Sequence, residues 1–513
     1  SSSLSSSGGW RLGGSPGVAA VRWWRTGGDA PYVHDGGTAF DPSDDAMRRR
    51  GNADMQRLGV LLRQDFPVGH GWIGSARYLA AWREQGLPGR ALYEAAHARL
   101  ASLAQHGLVT ATRHHLLGRG DETSVHLQLD DRWTQVDDRI GELGLPWYGD
   151  QRIRVAGARV VHESAPWGPA RVQLRAEALR GTVSGTDLRT DTVLPSSARS
   201  TVAGGLGIPL RLLEARLSVM PAVAFEWHDS KRMTNLGYPF TWRGVEPPAR
   251  AIATARLGVA WEANEILTLR TAAAHGSRAP HLVELFGNDG TVLGNPALRD
   301  ETATTVDLGL AVRGETRIGR QRLSGRLTVD AFRTEVADLI GLVMVRPHQA
   351  AWHNTAGALL RGVEAAGVID WRGHASVAAQ YTLLDSRNDS ETPGHAGKVL
   401  PLRPRSRWQV RADWHTARVP AIGRLRIWTA LRWRAGHYLD DANLASVPAQ
   451  TRADAGLSAG KESGWQFGLR VDNAFDATEV DLLGFPLPGR TVWLNLSWNL
   501  WNEARQNARA GGS

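Results

Sequence analysis

The chain has 513 residues, 42% of them hydrophobic, a formal net charge of +9 and no cysteine. The missing thiols exclude disulfides, thiol nucleophiles and cysteine-held zinc. No run of 18 apolar residues exists to form a transmembrane helix, and the basic balance suits an anionic partner (nucleic acid, lipopolysaccharide or an acidic ligand) or a solvated arginine-rich surface.

The opening stretch "SSSLSSSGGWRLGGSPGVAAVRWW" reads as a strand, a turn and a second strand. Residues 86–117 include "ALYEAAHARLASLA", which has helical propensity; an Ala-rich strand pair is the reading adopted here. Further on, "SVHLQLD" sets Val125, Leu127 and Leu129 against Ser124, His126, Gln128 and Asp130. "ARVQLRAEAL" sets Val172, Leu174, Ala176 and Ala178 against Arg171, Gln173, Arg175 and Glu177. A period of two means strand, because successive Cβ atoms point to opposite faces. Near the C-terminus the same alternation recurs at about 407–414, 424–435, 452–459, 465–471 and 491–501, with connections that run shorter, longer, shorter, longer. Segments 27–51, 141–152, 226–249, 285–300 and 385–404 are rich in Gly, Pro, Asp and Asn and read as long loops.

A soluble sandwich also alternates. Tryptophan tilts the balance: 21 Trp stand against 7 Tyr and 9 Phe, and its amphipathic ring is favoured at membrane–water interfaces. Alternating segments of this kind cross membranes as tilted strands of about 10 residues. The expected fold is therefore all-β, a transmembrane antiparallel β-barrel. Val172, Leu174, Trp408, Val410, Trp414, Leu425, Ile427, Trp433, Leu494, Leu496 and Trp498 are expected to face lipid. Arg171, Arg175, Arg407, Arg411, Arg426 and Arg432 are expected to face a wet lumen, unpaired.

Other clusters carry little chemistry. Adjacent residues on a strand face opposite ways, so Arg113-His114-His115 is a poor metal site. Asp130-Asp131 and Asp137-Asp138-Arg139 read as solvated loop charge rather than a Ca²⁺ site. No phosphate loop, nucleophile elbow or acid–base carboxylate spacing occurs. No enzyme, metal, cofactor or nucleic-acid function is expected.

The stretch "HGSRAPHLVELFGNDGTVLGNPALRDE" resembles the mid-barrel motif of TonB-dependent outer-membrane transporters, through Arg278, Ala279, Pro280, Glu284, Leu285, Gly294, Asn295, Pro296, Leu298 and Glu301. "NTAGALLRGVE" follows with Asn354, Gly357, Gly362, Val363 and Glu364, and "PLRPRSRW" with Pro401, Arg403 and Pro404. The closing segment supplies Asn473, Phe475, Asp476, Pro486, Pro488, Gly489 and Arg490. Four pieces occur in order, and in style they are closest to vitamin B12 and siderophore receptors.

The resemblance implies a barrel of 22 strands over residues 1–501, with both termini periplasmic, in the outer membrane of a Gram-negative bacterium. Residues 502–513 form a polar tail behind Trp501, the expected terminal aromatic. It also implies a TonB complex as partner, reached through an N-terminal plug domain, and outer-membrane lipid and lipopolysaccharide around the barrel. The plug is not seen in this sequence. It is encoded but outside the sequence given, or a separate polypeptide or partner subunit, or truly absent. The expected function is uptake of a scarce ligand (an iron–siderophore, cobalamin or similar). The alternative is a plugless passive pore, or a structural or docking barrel in an outer-membrane complex. Tyr32, Trp147, Tyr148, Trp242, Phe286 and Trp352 are the expected ligand-binding loop aromatics.

Overall fold

The structure is a computed structural model that describes residues 1–34, 42–90, 93–232, 246–287, 292–319, 321–346, 349–355, 357–371, 373–390, 394–416, 419–420, 422–461, 464–482 and 485–499. One antiparallel sheet of 23 segments carries most of the chain. Two of these, Thr192–Val193 and Leu210–Leu212, are short pieces; the other 21, among the described residues, are nine residues or longer. Trp501 and the tail lie outside the described residues.

The chain divides into two compact units: residues 1–259, 272–305 and 335–358, and residues 260–271, 306–334 and 359–513. In the first unit, Ser2–Leu12, Ser15–Thr26, Met55–Gly69, Trp72–Gly86, Arg99–His114, Glu122–Asp138, Trp147–Glu163, Gln173–Asp187, Ser197–Gly207 and Leu217–Arg232 each pair antiparallel with the next. The meander follows from local chemistry. Gly13 and Gly14 take φ of 55° and 84°, and His70 and Gly71 take 51° and 78°. Two consecutive positive φ values make the two-residue turn whose twist matches the flanking strands. In the second unit, Ala375–Asp389, Ser406–His415, Arg424–Arg434, Gln450–Gly460, Gly464–Asp472 and Thr491–Asn499 form a like meander.

In both units connections alternate in length. The first unit has two-residue turns at 13–14 and 70–71, but longer loops at 27–54 and 87–98. The second has 416–423 and 461–463 against 435–449 and 473–490. Among the described residues of 86–117 the one long strand is Arg99–His114, preceded by the short pairing of Gly89–Arg90 with Tyr93–Glu94, so the expected Ala-rich strand pair is found as a single strand. Some loops are shorter than expected, because strands run into them: Trp147–Glu163 takes 147–152, Leu217–Arg232 takes 226–232, and Ala375–Asp389 takes 385–389. A 17-residue strand is about 55 Å long, more than the 9–11 residues a bilayer demands, so its ends project.

The apolar face is exposed, the reverse of a water-soluble protein. Leu174 is 47% exposed, Trp414 46%, Ile427 44% and Leu494 73%. Val410, Leu496 and Trp498 are likewise exposed. Register pairs aromatic residues across strands on this face: Trp408 stacks on Trp433 at 6.4 Å, and Trp465 meets Trp498 edge-on at 4.2 Å. The first pair lies towards the long loops and the second beside the turn at 461–463, as two interfacial girdles would. Val172 and Arg171 are exceptions to the assigned faces. They precede the strand Gln173–Asp187 and lie in the turn before it.

Candidate ligand site on the polar sheet face

An arginine two residues before a carboxylate on a strand puts both groups on one face. The chain repeats this device at Arg63–Asp65 (3.0 Å), Arg411–Asp413 (2.7 Å), Arg452–Asp454 (2.8 Å), Arg470–Asp472 (2.5 Å) and Arg175–Glu177. Neighbouring strands add second arginines: Arg159 to Glu177 at 2.9 Å, Arg426 to Asp413 at 2.5 Å and Arg432 to Asp454 at 3.2 Å. Arg171 pairs with Glu163 at 2.5 Å. The expectation of unpaired arginines is therefore corrected. The sheet supplies its own counter-charges, because the same period of two that exposes arginine also presents Asp and Glu. Of the six named arginines, Arg407 has no ion pair among the described residues.

In the second unit this face opens into a cavity of about 520 Å³ lined by Arg407, Arg432, Arg434 and Arg452, with Gln380, Thr382, Gln409 and Gln450 between them. Glu479, Asp481 and Leu487, from the loop after Gly464–Asp472, complete the wall. Arg434 Nη1 reaches Asp481 at 2.7 Å, and Arg452 Nη1 reaches Glu479 at 3.2 Å. Gln450, buried, accepts a hydrogen bond from Arg434 at 2.9 Å and donates one to the Val480 carbonyl at 2.8 Å. Four guanidinium groups thus line a hollow at the long-loop end; Arg434 and Arg452 meet the loop carboxylates, Arg432 and Arg452 share Asp454, and Arg407 has no ion pair among the described residues. Guanidinium groups bind carboxylate, phosphate and other planar anions bidentately. Nearby His437 is buried, and its Nδ1 has no hydrogen-bond partner among the described residues. Burial, and then the Arg434 charge, push its pKa down.

The mid-chain motif folds as a knot in the first unit. Arg278 clasps Glu284 at 2.9 Å and Glu301 at 3.3 Å. Glu284 also accepts the His281 N–H at 2.6 Å, closing the start of the short helix Leu282–Phe286. Asn295 donates its N–H to the Glu284 carbonyl (2.8 Å) and its side-chain amide to the Trp352 carbonyl (3.0 Å). Ala279, Pro280 and Pro296 are buried, and Leu285, Leu298 and Ile340 form a buried cluster. These residues hold a loop, their charged and amide groups engaged with one another.

The other motif residues behave similarly. A Cβ on Gly362 would lie 2.3 Å from the Leu383 carbonyl oxygen and 2.8 Å from the Phe332 ring, so only glycine fits. Glu364 is exposed on its strand. Asn473 ties the next loop by exchanging hydrogen bonds with Ala477, at 2.7 Å and 2.9 Å. Asp476 accepts the Arg490 N–H at 2.6 Å, and a Cβ on Gly489 would sit 2.5 Å from that same carboxylate. Pro488 is exposed.

The aromatic candidates separate. Phe286 and Trp352 pack against the Leu285–Leu298–Ile340 core, and the Trp352 indole nitrogen is buried with no partner among the described residues. Tyr32 is buried and donates to Glu94 at 2.9 Å. Tyr148 lies under Arg139, 4.4 Å from its ring centre, next to Trp147. Trp242 lies outside the described residues. All but Trp242 are thus placed at the long-loop end, and none lines the arginine cavity. The sequence reading missed Arg434, Arg452, Gln450, Glu479 and Asp481. The repeated Arg-x-Asp in "TRAD" and "LRVD" was the available signal for the network. The cavity itself depends on register across four strands.

Loops at this end of the first unit interlock through one carboxylate. Glu142 accepts the backbone N–H groups of Ala96 (3.0 Å), His97 (2.8 Å) and Ala98 (3.0 Å), and contacts the His97 ring at 3.0 Å. The hydrogen bonds from His97, first its backbone and then its ring, lower the Glu142 pKa to about 2. Among the described residues no group of three or more His, Asp or Glu side chains is placed to hold a metal ion.

A family model for the TonB dependent receptor-like β-barrel matches residues 3–474. Among curated proteins no sequence matches. Solved structures of similar fold include the FrpB iron transporter from Neisseria meningitidis (F5-1 variant), at TM-score 0.73 and 12% identity, covering 96% of this chain and 79% of that one. The copper transporter OprC is similar at TM-score 0.72 and 13% identity over 94% of this chain and 75% of that one. The siderophore receptor PiuA from Acinetobacter baumannii gives 0.70 and 13% over 96% and 79%. The chain belongs to the TonB-dependent receptor β-barrel family and is an integral outer-membrane protein that crosses the bilayer with strands.

Proposed function

We propose that this chain is the ligand-selecting barrel of an energy-coupled importer for a scarce ligand, of the iron–siderophore or cobalamin kind, that presents an anionic group. One observation carries the reading: a 520 Å³ hollow at the long-loop end lined by four arginines, of which Arg407 has no ion pair among the described residues and Arg434 and Arg452 are held by loop carboxylates. An anion entering there displaces Glu479 and Asp481 from Arg452 and Arg434 and takes over their bidentate partners. Similar folds named as an iron transporter, a copper transporter and a siderophore receptor support transport. In this reading residues 1–501 form a 22-stranded barrel and a TonB complex supplies the energy through a plug domain.

A second reading has one observation in its favour. The polar face pairs its own charges, so a barrel of this sequence is electrostatically satisfied without a filling domain. That suits a passive pore or a docking subunit. Single-channel recording of this chain in planar bilayers separates the two. The importer reading predicts that conductance falls when a plug domain, on the same polypeptide or a separate one, occupies the lumen. Equal conductance with and without it supports the pore.

A further inference from the structure

The strands Ser406–His415, Arg424–Arg434 and Gln450–Gly460 of the second unit pair in register, and their polar-face residues fall into six rows. From the long-loop end downward the rows hold Arg434 with Arg407, Arg432 with Arg452, Ala430 with Arg411, Trp428 with Asp413, Arg426 with His415, and Arg424 with Gly460. Residues two apart on a strand share a face, so successive rows lie about 7 Å apart on one surface. Five of the six rows carry a guanidinium, and the sixth is covered by Arg411, which lies over the Trp428 ring at 4.2 Å. Seven arginines in these rows stand against Asp413 and Asp454. They stand against four carboxylates when Glu479 and Asp481 of the long loop are counted.

The ladder ends in a second hollow at the short-turn end, about 800 Å³ in volume and lined by His374, His415, Arg424, Arg426, Lys461 and Gln466. Its floor is backbone: Gly423 has φ of 87°, and a Cβ there would overlap the Gly460 carbonyl oxygen. Asp413 accepts Arg411 at 2.7 and 3.0 Å and Arg426 at 2.8 and 2.5 Å. Four N–H groups fill the acceptor sites of one carboxylate, so a single negative charge serves two arginines. Lys461 is exposed, and its ammonium has no ion pair or hydrogen bond among the described residues.

We infer that this hollow is a second anion site, on the exit side of the polar face, for small solutes that bear carboxylate or phosphate groups. The short turns of such barrels face the periplasm, so the hollow opens there. Guanidinium and ammonium groups are the donors such anions need. The lower hollow is larger than the upper one, 800 Å³ against 520 Å³, so a solute group held above fits below. The row spacing lets an anion leaving Arg407 and Arg432 meet a further guanidinium about one row on. The inference rests on the barrel setting this face around the lumen and on no energy source, so it holds for an importer and for a pore.

Lys461 reports on the site directly. This chain, in detergent micelles at low ionic strength where exposed charge is least screened, is acetylated with limiting acetic anhydride in citrate or in inorganic pyrophosphate. Peptide mass spectrometry then reads the rate at each lysine. Either anion should slow Lys461 about fivefold or more, because an ammonium paired with an anion keeps its proton and is no nucleophile. Lys231, 62% exposed beside Asp229, should keep its rate. Arg424→Gln should raise the half-protecting concentration about tenfold, the loss of one charge-assisted hydrogen bond. Arg407→Gln, in the upper hollow, should leave it unchanged. A Lys461 rate that neither anion slows, or slows no more than that of Lys231, overturns the proposal. So does an unchanged half-protecting concentration in Arg424→Gln. Import is read by accumulation in cells, so Lys461 protection without uptake removes the importer and keeps this site.

Discussion

Replacing Asp454 with Ala tests the self-paired polar face where it is most concentrated. Asp454 is 2% exposed. It accepts Arg452 at 2.8 Å, Arg432 at 3.2 Å and the Asn473 N–H at 2.9 Å. Removing one partner of a buried ion pair costs about 3–5 kcal/mol, mostly from the stranded charge. Here Arg432 is left without its partner but is 48% exposed, and Arg452, 26% exposed, keeps Glu479 at 3.2 Å, so part of that is recovered. The orphaned Asn473 N–H adds about 1 kcal/mol. The expected loss is about 2–3 kcal/mol. The matched control is Glu315→Ala, which breaks an Arg322 pair whose side chains are 65% and 56% exposed; it should cost under about 1 kcal/mol. Urea unfolding from lipid vesicles, followed by the heat-dependent gel mobility of folded barrels, reads both. Equal midpoints for the two variants would refute the argument that buried counter-charges hold this face.

Val410→Arg should cost about 2–4 kcal/mol of bilayer stability, since it puts a cation on the exposed apolar face; Arg411→Val should cost less, because Arg426 still holds Asp413. Vesicle refolding yields compare them, and similar yields would reverse the face assignment. Trp352→Ala should lower stability by about 2 kcal/mol through the cavity it leaves against Leu285 and Ile340, whereas Tyr148→Ala should leave folded yield unchanged in the same assay. The Glu142 carboxylate has its pKa lowered from 4.5 to about 2, so its clamp on residues 96–98 is fully present above about 4.5 and lost as pH falls through about 2. Amide exchange at Ala96, His97 and Ala98, corrected for intrinsic rates, should lose protection across that window; constant protection would contradict the clamp.

Much of the fold is legible locally. Strand identity follows from period two, as at Arg407 to Trp414, and the tight turns follow from Gly13-Gly14 and His70-Gly71. Tryptophan at strand ends announced the girdles that Trp408, Trp433, Trp465 and Trp498 build. Charge pairing was half legible. Arg411-x-Asp413 is visible as spacing, but Arg426 joins Asp413 only through the register of two strands. The site was least legible. Phe286 and Trp352 looked like ligand anchors because aromatic loop residues often are, yet they pack into a loop core assembled from residues 285, 298 and 340. The arginine cavity draws on residues from 380 to 487, a separation that no local pattern spans.

The central claim is energy-coupled import through the arginine cavity. Its most direct test is accumulation of radio-iron, supplied as anionic ferric siderophores, in cells whose only outer-membrane receptor for them is the full-length gene product. Labelled cobalamin serves as the parallel probe. The account predicts uptake of at least one probe, abolished by a protonophore and reduced at least tenfold by the double substitution Arg434→Glu and Arg452→Glu at unchanged receptor level. Uptake that continues undiminished with the protonophore, or in the double variant, would contradict it.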